Sequence, residues 1–221
     1  VFEAGDDIVI NGTVRSDTAN VTLDSGFGDT DDTGSQTLDG VVSAAAGTVT
    51  IDLNAESGDA TQGSSGTITA SLLSLLATGG GTGAYVHAAS TTNNVTTFTA
   101  NVGGAIDFYD TNGLTIGTGG VGVTTTNDDA TFVVGAGNVS LAENIALGTG
   151  TLRLQTNAAA GSITQTAGKT VAASALGLRA GTGGINLPST DNDVDTLAAP
   201  TAGSFAMRDT DTLALGTVAV D

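Results

Sequence analysis

One stretch of sequence occurs twice in this chain, and this repeat constrains the fold more than any other feature. Residues 61–77 read TQGSSGTITASLLSLLA, and residues 164–180 read TQTAGKTVAASALGLRA, at an offset of 103 residues. The two copies share most of their Thr, Gln, Ala, Ser and Leu positions, or exchange one apolar residue for another. Internal repeats dictate architecture, because each unit must stack on its neighbour to bury its apolar face. The sequence therefore predicts a repeat protein.

The likeness extends along the rest of the chain. The matching ranges are 47–55 with 150–158 at the same offset, 95–98 with 194–197 and 110–118 with 209–217 at an offset of 99, and 2–10 with 108–116 at an offset of 106. We predict one continuous segment over residues 1–221, with repeats at about 1–57 (partial), 58–160 and 161–221 (partial). We expect this segment to belong to a longer array.

Apolar residues recur at every second position and are separated by Thr, Ser, Asp or Gly, which predicts short, half-buried β-strands. The predicted inward residues are Ile8 and Ile10, Val21 and Leu23, Val49 with Ile51 and Leu53, Ile68 and Ala70, Leu73 and Leu75, Leu114 and Ile116, Val121 and Val123, Val139 and Leu141, Leu152 and Leu154, Val171 and Ala173, Leu176 and Leu178, and Leu213 and Leu215. The spacing becomes three between Ala70 and Leu73, and again between Ala173 and Leu176. This slip predicts a strand that turns a corner and keeps its apolar side inward.

Two architectures accommodate many short strands: antiparallel sandwiches or barrels, and parallel β-solenoids. The solenoid is favoured because hairpin turns are few: Asn11-Gly12 and Asn112-Gly113 are the only Asn-Gly pairs, and Asp39-Gly40 is the only Asp-Gly pair. The repeat also tolerates a four-residue change in length, as a loop on a coil would. We predict an all-β, parallel β-solenoid built from ~103-residue repeats of four or five short coils, each of about 20–25 residues.

Composition and charge exclude several classes of function. The formal net charge is −18, from 23 acidic residues against five Lys and Arg. Binding to nucleic acid or to an anionic membrane surface requires clustered basic residues, so we predict neither partner. The chain contains no cysteine, which excludes a disulfide framework and cysteine-based zinc sites. No apolar run reaches the roughly 18–20 residues that span a bilayer, so we predict no membrane insertion.

Motifs for catalysis are absent from the sequence. His87 is the only histidine, no serine lies in a Gly-x-Ser-x-Gly elbow, and the aspartates lie mainly at turns. We predict no enzyme activity and no catalytic, cofactor-binding or metal-binding residues. A carbohydrate-active β-helix enzyme is the alternative class, and it would need paired carboxylates at a groove. A calcium ion at Asp29 and Asp31 is the alternative left open for the loop at residues 29–34, whose oxygen spacing matches the start of a calcium loop.

Three strings resemble the repeats of filamentous haemagglutinin-like exoproteins, which are very large bacterial surface and secreted proteins. The strings are GSITQTAGKTVAASALGLRAGTGGINL, NDVDTLAA and DTDTLALGTV. The resemblance implies a right-handed parallel β-helix, export to the cell surface, and a role in adhesion or in an extracellular fibre.

The combined prediction is a non-enzymatic structural segment of an extracellular bacterial fibre or adhesin. We expect its partner to be itself, either through head-to-tail stacking of segments in a filament or through a covalently continuous array. A receptor-binding adhesin head is the alternative, with a receptor on a host or neighbouring cell as the partner. A receptor-binding surface should show an exposed apolar or aromatic patch on one face.

Overall fold

The computed structural model describes residues 1–28, 33–54, 58–77, 84–87 (backbone only) and 90–218. These residues form strands and turns, and they contain no helix. The strands are β1 (Phe2–Ala4), β2 (Ile8–Ile10), β3 (Thr13–Arg15), β4 (Val21–Ser25), β5 (Gln36–Leu38), β6 (Val41–Leu53), β7 (Asp59–Gln62), β8 (Thr67–Leu76), β9 (Ala84–His87), β10 (Asn94–Asn101), β11 (Ile106–Asp110), β12 (Leu114–Ile116), β13 (Val123–Thr124), β14 (Ala130–Val134), β15 (Val139–Leu141), β16 (Ile145–Ala146), β17 (Thr151–Thr156), β18 (Ser162–Gln165), β19 (Val171–Arg179), β20 (Gly184–Leu187), β21 (Asp193–Ala198), β22 (Phe205–Met207) and β23 (Ala214–Leu215).

Each strand pairs in parallel with a strand of a neighbouring coil, which confirms the predicted all-β, parallel β-solenoid. One column of paired residues extends along the stack from its first coil to its last. Its members are Ile8, Gln36, Ala60, Tyr85, Ile106, Ala130, Leu152, Leu176, Leu197 and Leu215. The spacing along the chain between successive members is longest from Ile8 to Gln36 and shortest from Leu197 to Leu215.

The first half of the solenoid has three sides. Side A carries β2, β5, β7, β9 and β11; side B carries β3 and the starts of β6, β8 and β10; side C carries β1, β4 and the ends of β6, β8 and β10. The long strands therefore turn the corner between sides B and C. At the corner in β8, Ala70 and Leu73 are both buried whereas Ser71 is exposed. This arrangement confirms the predicted slip.

The three sides are rearranged at β10. Thr97 and Phe98 pair with β12, whereas Ala100 and Asn101 pair with β13, so side C divides into two sides, C1 and C2. In the second half, C1 carries β12, β15, β18, β20 and β22, and C2 carries β13, β16 and the starts of β19 and β21. Side A continues through β14, β17, the ends of β19 and β21, and β23.

Three phenylalanines fill the core beside this rearrangement. Phe98, Phe108 and Phe132 are fully buried, and the Phe98 ring centroid lies 5.0 Å from each of the other two. Aromatic side chains fill more volume than the Val and Leu that line most of the core. The largest core residues therefore lie where the cross-section of the solenoid changes.

Because of this rearrangement, the sequence repeats do not stack directly above one another. Leu73 lies on side C, but its repeat counterpart Leu176 lies on side A. Ile68 lies on side B, and its counterpart Val171 lies on side C2. One 103-residue unit therefore spans a whole number of coils plus one further side, so equivalent residues of successive units lie on adjacent sides.

Most of the predicted inward residues are buried, including Leu23, Ile68, Leu152 and Leu176, which are all fully buried. Val121 is an error in the prediction, because it is 51% exposed. It closes a tight turn by pairing with Thr118, and the two residues between them are glycines with φ of 61° and 87°. A left-handed turn of this kind interrupts the alternation of a strand.

Candidate functional site

The residues singled out by sequence lie mainly outside the described part of the structure. Asp29 and Asp31, the alternative calcium ligands, lie outside the described residues. Of His87 the structure describes the backbone, which ends β9. Among the described residues, no group of three or more His, Asp or Glu side chains is placed to hold a metal ion.

The most developed polar cluster lies inside the coil, at the turn between β9 and β10. The side chain of Asn93 is fully buried. Its Oδ1 accepts hydrogen bonds from Gln62 Nε2 at 2.7 Å and from the Ile68 N–H at 2.8 Å. Its Nδ2 donates to Gln62 Oε1 and to the Tyr109 carbonyl, both at 3.0 Å. One amide thus joins three consecutive coils.

The same cluster occurs a second time, one repeat later. Asn192 Oδ1 accepts from Gln165 Nε2 at 2.7 Å and from the Val171 N–H at 2.9 Å. Asn192 Nδ2 donates to Gln165 Oε1 at 3.2 Å and to the Arg208 carbonyl at 3.0 Å. We call the two clusters clasps: the first is Gln62, Asn93 and Asp110, and the second is Gln165, Asn192 and Asp209.

A carboxylate completes each clasp. Asp110 is fully buried, and its two oxygens accept the N–H groups of Val95 at 2.7 Å and Asn112 at 2.8 Å. Asp209 accepts the equivalent N–H groups, from Val194 at 3.1 Å and Asp211 at 3.3 Å. Burial raises the pKa of Asp110 to about 6, although both backbone hydrogen bonds favour the charged form.

The first clasp carboxylate lies where the sides of the solenoid are rearranged. The Asp110 carboxylate accepts the Val95 N–H at the start of β10, which is where the ladder of side B stops and side C divides. It therefore satisfies a backbone donor that a further strand would otherwise pair. The clasps are internal hydrogen-bond clusters that join neighbouring coils; the first is fully buried, whereas Asp209 of the second is half-buried.

A column of acidic side chains lies on the outside of side C. Glu3 is in register with Asp24, and Asp24 is in register with Asp52. The pKa of Asp24 is raised, first by burial and then by the charges of Asp52 and Glu3, against a hydrogen bond from Asn54. Like charges directly opposite each other on neighbouring strands are destabilising. This column therefore disfavours the close pairing of the first coils.

Three of the five basic residues have an acidic neighbour. The ion pairs are Arg15 with Asp17 at 2.5 Å, Lys169 with Glu143 at 2.5 Å, and Arg153 with Asp129 at 2.9 Å. Two of these pairs, Lys169–Glu143 and Arg153–Asp129, bridge the same two neighbouring coils, and in each of them a carboxylate balances the basic group. The described residues therefore form no cluster of positive charge of the kind that binds phosphate groups.

A polar cleft of about 260 Å³ lies on the outer surface near the end of the solenoid. It is lined by Gly148, Ala172, Ala173, Ser174, Asp193 and Asp195. Its two carboxylates occupy alternate positions of the single strand β21, so they project from the same strand. They do not face each other across the cleft, as a pair that flanks a glycosidic bond would.

The two terminal coils expose apolar side chains. Phe2 is 50% exposed and Val9 is 56% exposed in the first coil, and Phe205 is 42% and Leu215 is 83% exposed in the last. A mostly apolar cleft of about 490 Å³ lies in the last coil, lined by Leu197, Ala198, Ala199, Pro200, Phe205, Leu215 and Gly216. The prediction that Leu215 is buried is wrong, because no described strand covers β23 on its far side.

Sequence reasoning did not identify the clasps, although the signal was present. Gln62 and Gln165 match at the 103-residue offset, and Asp110 and Asp209 match at 99. Polar residues that recur with the repeat between inward apolar positions indicate an internal hydrogen-bond network. The Asn of each clasp immediately precedes a strand: Asn93 precedes β10, and Asn192 precedes β21.

No described helix is long and apolar enough to cross a membrane. Comparison with known proteins identifies no relative: no protein-family model, no curated protein and no solved structure matches this chain.

Proposed function

We propose that this chain is a structural, non-enzymatic segment of an extracellular bacterial β-solenoid fibre or adhesin, and that it continues end to end with further coils of the same kind. The observation that carries the proposal is the unbroken parallel ladder between apolar terminal coils. The further coils belong either to a second copy or to the same covalent chain. The bacterial and extracellular parts of the proposal rest on the resemblance to filamentous haemagglutinin-like repeats.

The position of the exposed apolar residues supports self-association over a lateral receptor site. Of the large apolar side chains exposed in the described residues, those in the two terminal coils are Val1, Phe2, Val9, Phe205 and Leu215. Phe27 lies beside the first coil, because its N–H donates to the Ala4 carbonyl at 2.8 Å, whereas Val41 and Val121 are exposed as single residues elsewhere along the chain. Contiguous patches mark interaction surfaces, whereas single exposed apolar residues are ordinary. The two ends of the solenoid are therefore the surfaces best suited to association.

Light scattering and electron microscopy on the purified 221-residue chain test the proposal. We expect particles to lengthen along one axis when the protein is concentrated. Elongation should increase from low salt to about 0.15 M salt, since screening at a Debye length of about 8 Å weakens the repulsion between copies of charge −18. A monodisperse monomer under both conditions would contradict end-to-end association of separate copies.

A further inference from the structure

We propose that separate copies join by strand exchange, in which residues 207–218 of one copy replace residues 2–13 of the next copy and pair with its β4 and β5. The inference rests on the proposed end-to-end continuation and specifies how the junction is built. Any coil that comes next in a longer covalent chain would make the same contacts without exchange.

The two exchanging segments occupy equivalent places in the repeat and share their apolar spacing. Residues 207–218 read MRDTDTLALGTV, and residues 2–13 read FEAGDDIVINGT, with Asp211 and Asp6 as the one identical pair. At the combined repeat offset of 205 residues, Met207, Leu213 and Leu215 correspond to Phe2, Ile8 and Ile10. Both segments are therefore built to place apolar side chains at the same inward positions.

Pairing inside the chain identifies the layer that should cover this element. Ile10 pairs with Leu38, and its counterpart Ile116 pairs with Leu141, which lies 103 residues after Leu38. Leu215 is the next counterpart of Ile10 and Ile116, but it is 83% exposed. The residue that should cover Leu215 is therefore the equivalent of Leu38, which the next copy supplies.

The two segments have complementary open edges. In this chain β22 and β23 pair with the preceding strands β20 and β21, whereas β1 and β2 pair with the later strands β4 and β5. In the exchanged junction, the last strands of one copy would pair with β20 and β21 of the same copy on one edge and with β4 and β5 of the next copy on the other edge. Stacking two intact ends would instead place equivalent layers directly on each other, an arrangement that no pairing among the described residues shows.

Charge favours the exchanged junction. The same 205-residue offset places Arg208 at the position of Glu3, which is in register with Asp24. Exchange therefore replaces a Glu3–Asp24 contact between like charges with an Arg208–Asp24 contact between opposite charges. Opposite charges on directly opposed strand positions stabilise the pair, and like charges destabilise it. The unfavourable acidic column thus becomes part of the recognition surface.

The strands to be displaced are held weakly. β1, β2 and β3 have three residues each, and most of their side chains are exposed or half-buried. Short strands with little buried apolar area open at low free energy. The exchanged contact is head-to-tail and open-ended, so it can be repeated from copy to copy.

Cysteine cross-linking distinguishes exchange from stacking of intact ends, because the natural chain has no cysteine. Val9 is in register with Thr37, and Ala214 corresponds to Val9. Exchange therefore places Ala214 of one copy beside Thr37 of the next, at the strand spacing of about 4.8 Å that a disulfide can bridge. Stacked intact ends would instead place β23, which contains Ala214, against β2, which contains Val9. We would mix an Ala214→Cys chain with a mass-tagged Thr37→Cys chain, or with a tagged Val9→Cys chain, and oxidise both mixtures.

Preferential disulfide formation between the Ala214→Cys and Thr37→Cys chains is the expected result. Preferential formation with Val9→Cys would overturn exchange but leave end-to-end stacking intact. No mixed disulfide in either mixture, together with a monomer in light scattering, would overturn both.

A charge reversal gives an independent readout. Arg208→Glu should weaken self-association by roughly fivefold to tenfold, since it restores like charges beside Asp24. Arg179→Glu makes the same change in net charge on an exposed residue away from the junction, and it should weaken association much less. Equal effects of the two variants would contradict the Arg208–Asp24 contact.

Discussion

The Asn93 clasp makes the sharpest prediction about the interactions that hold the coils together. In an Asn93→Leu variant, the side chain keeps its branched shape and its number of heavy atoms, but four hydrogen bonds are lost, at 2.7, 2.8, 3.0 and 3.0 Å. The Ile68 N–H, the Tyr109 carbonyl and the Gln62 amide then lose their Asn93 partner inside the coil. A buried polar group left unpaired costs about 1–3 kcal/mol, so we expect the free energy of unfolding to fall by roughly 3–6 kcal/mol.

Urea denaturation measures the loss, and hydrogen exchange locates it. The Ile68 amide should lose protection more than amides in coils that do not contact the clasp. Asn94→Leu is the matched control, because Asn94 is the adjacent residue and is exposed; it should change stability by less than about 1 kcal/mol.

A double-mutant cycle tests whether the cluster acts as a unit. Gln62→Leu and Asn93→Leu each leave the amide of the other residue without its partner, so the double variant should cost clearly less than the sum of the single variants. Additive effects, or a loss of under about 1 kcal/mol for Asn93→Leu alone, would refute the role that we assign to the clasp.

Burial and charge give three further predictions. Leu176→Asp places a charge among fully buried residues and should cost several kcal/mol in chemical denaturation, whereas the half-buried, outward Thr170→Asp should cost less than about 1 kcal/mol; equal losses would contradict the register. The folded-state pKa of Asp110 is raised to about 6 from the usual value of 3.8, so protonated Asp110 stabilises the fold below pH 3.8 and this stabilisation is lost as the pH rises through 6. An Asp110→Asn variant should therefore show a flatter stability–pH curve between these two values. The pKa of Asp24 is also raised, so Asp24→Asn should stabilise the protein at pH 7 and have little effect near pH 3 in thermal unfolding.

The sequence predicts most of the fold because the repeat and the period-two pattern carry the same information as the ladder. Strand positions, the inward apolar residues and the corner at Ala70 and Leu73 arise from local alternation. The error at Val121 arises because two successive glycines allow a left-handed turn that no alternation pattern reports.

The number of coils per repeat could not be fixed from the sequence. Coil length is not constant, because loops at the corners lengthen and shorten without altering the strands; the coil from Ile8 to Gln36 is the longest and that from Leu197 to Leu215 the shortest. The side on which a strand lies depends on these lengths summed over several coils. The division of side C at Phe98 and Ala100 therefore became visible only in the pairing.

The candidate site was less predictable than the fold. The hydrogen bonds by which the clasps join neighbouring coils connect residues that are 15 to 31 positions apart in the chain. A pattern of short range cannot show such contacts, although the recurrence of Gln62 as Gln165 marks where to look. The charge complementarity between Arg208 and Asp24 needed both the repeat offset and the observed register of Glu3 with Asp24.

The rotation of the repeats bears on what a longer rod of this kind could bind. Equivalent residues of successive units lie on different sides, as Leu73 and Leu176 do. A lateral receptor site repeated in every unit would therefore point in different directions around the rod and would not form one continuous stripe. Contacts along the axis do not depend on the direction in which a side faces, because each coil pairs with the next through parallel backbone hydrogen bonds. Because equivalent side chains are spread around the rod, the ends are the surfaces through which every unit can make the same kind of contact.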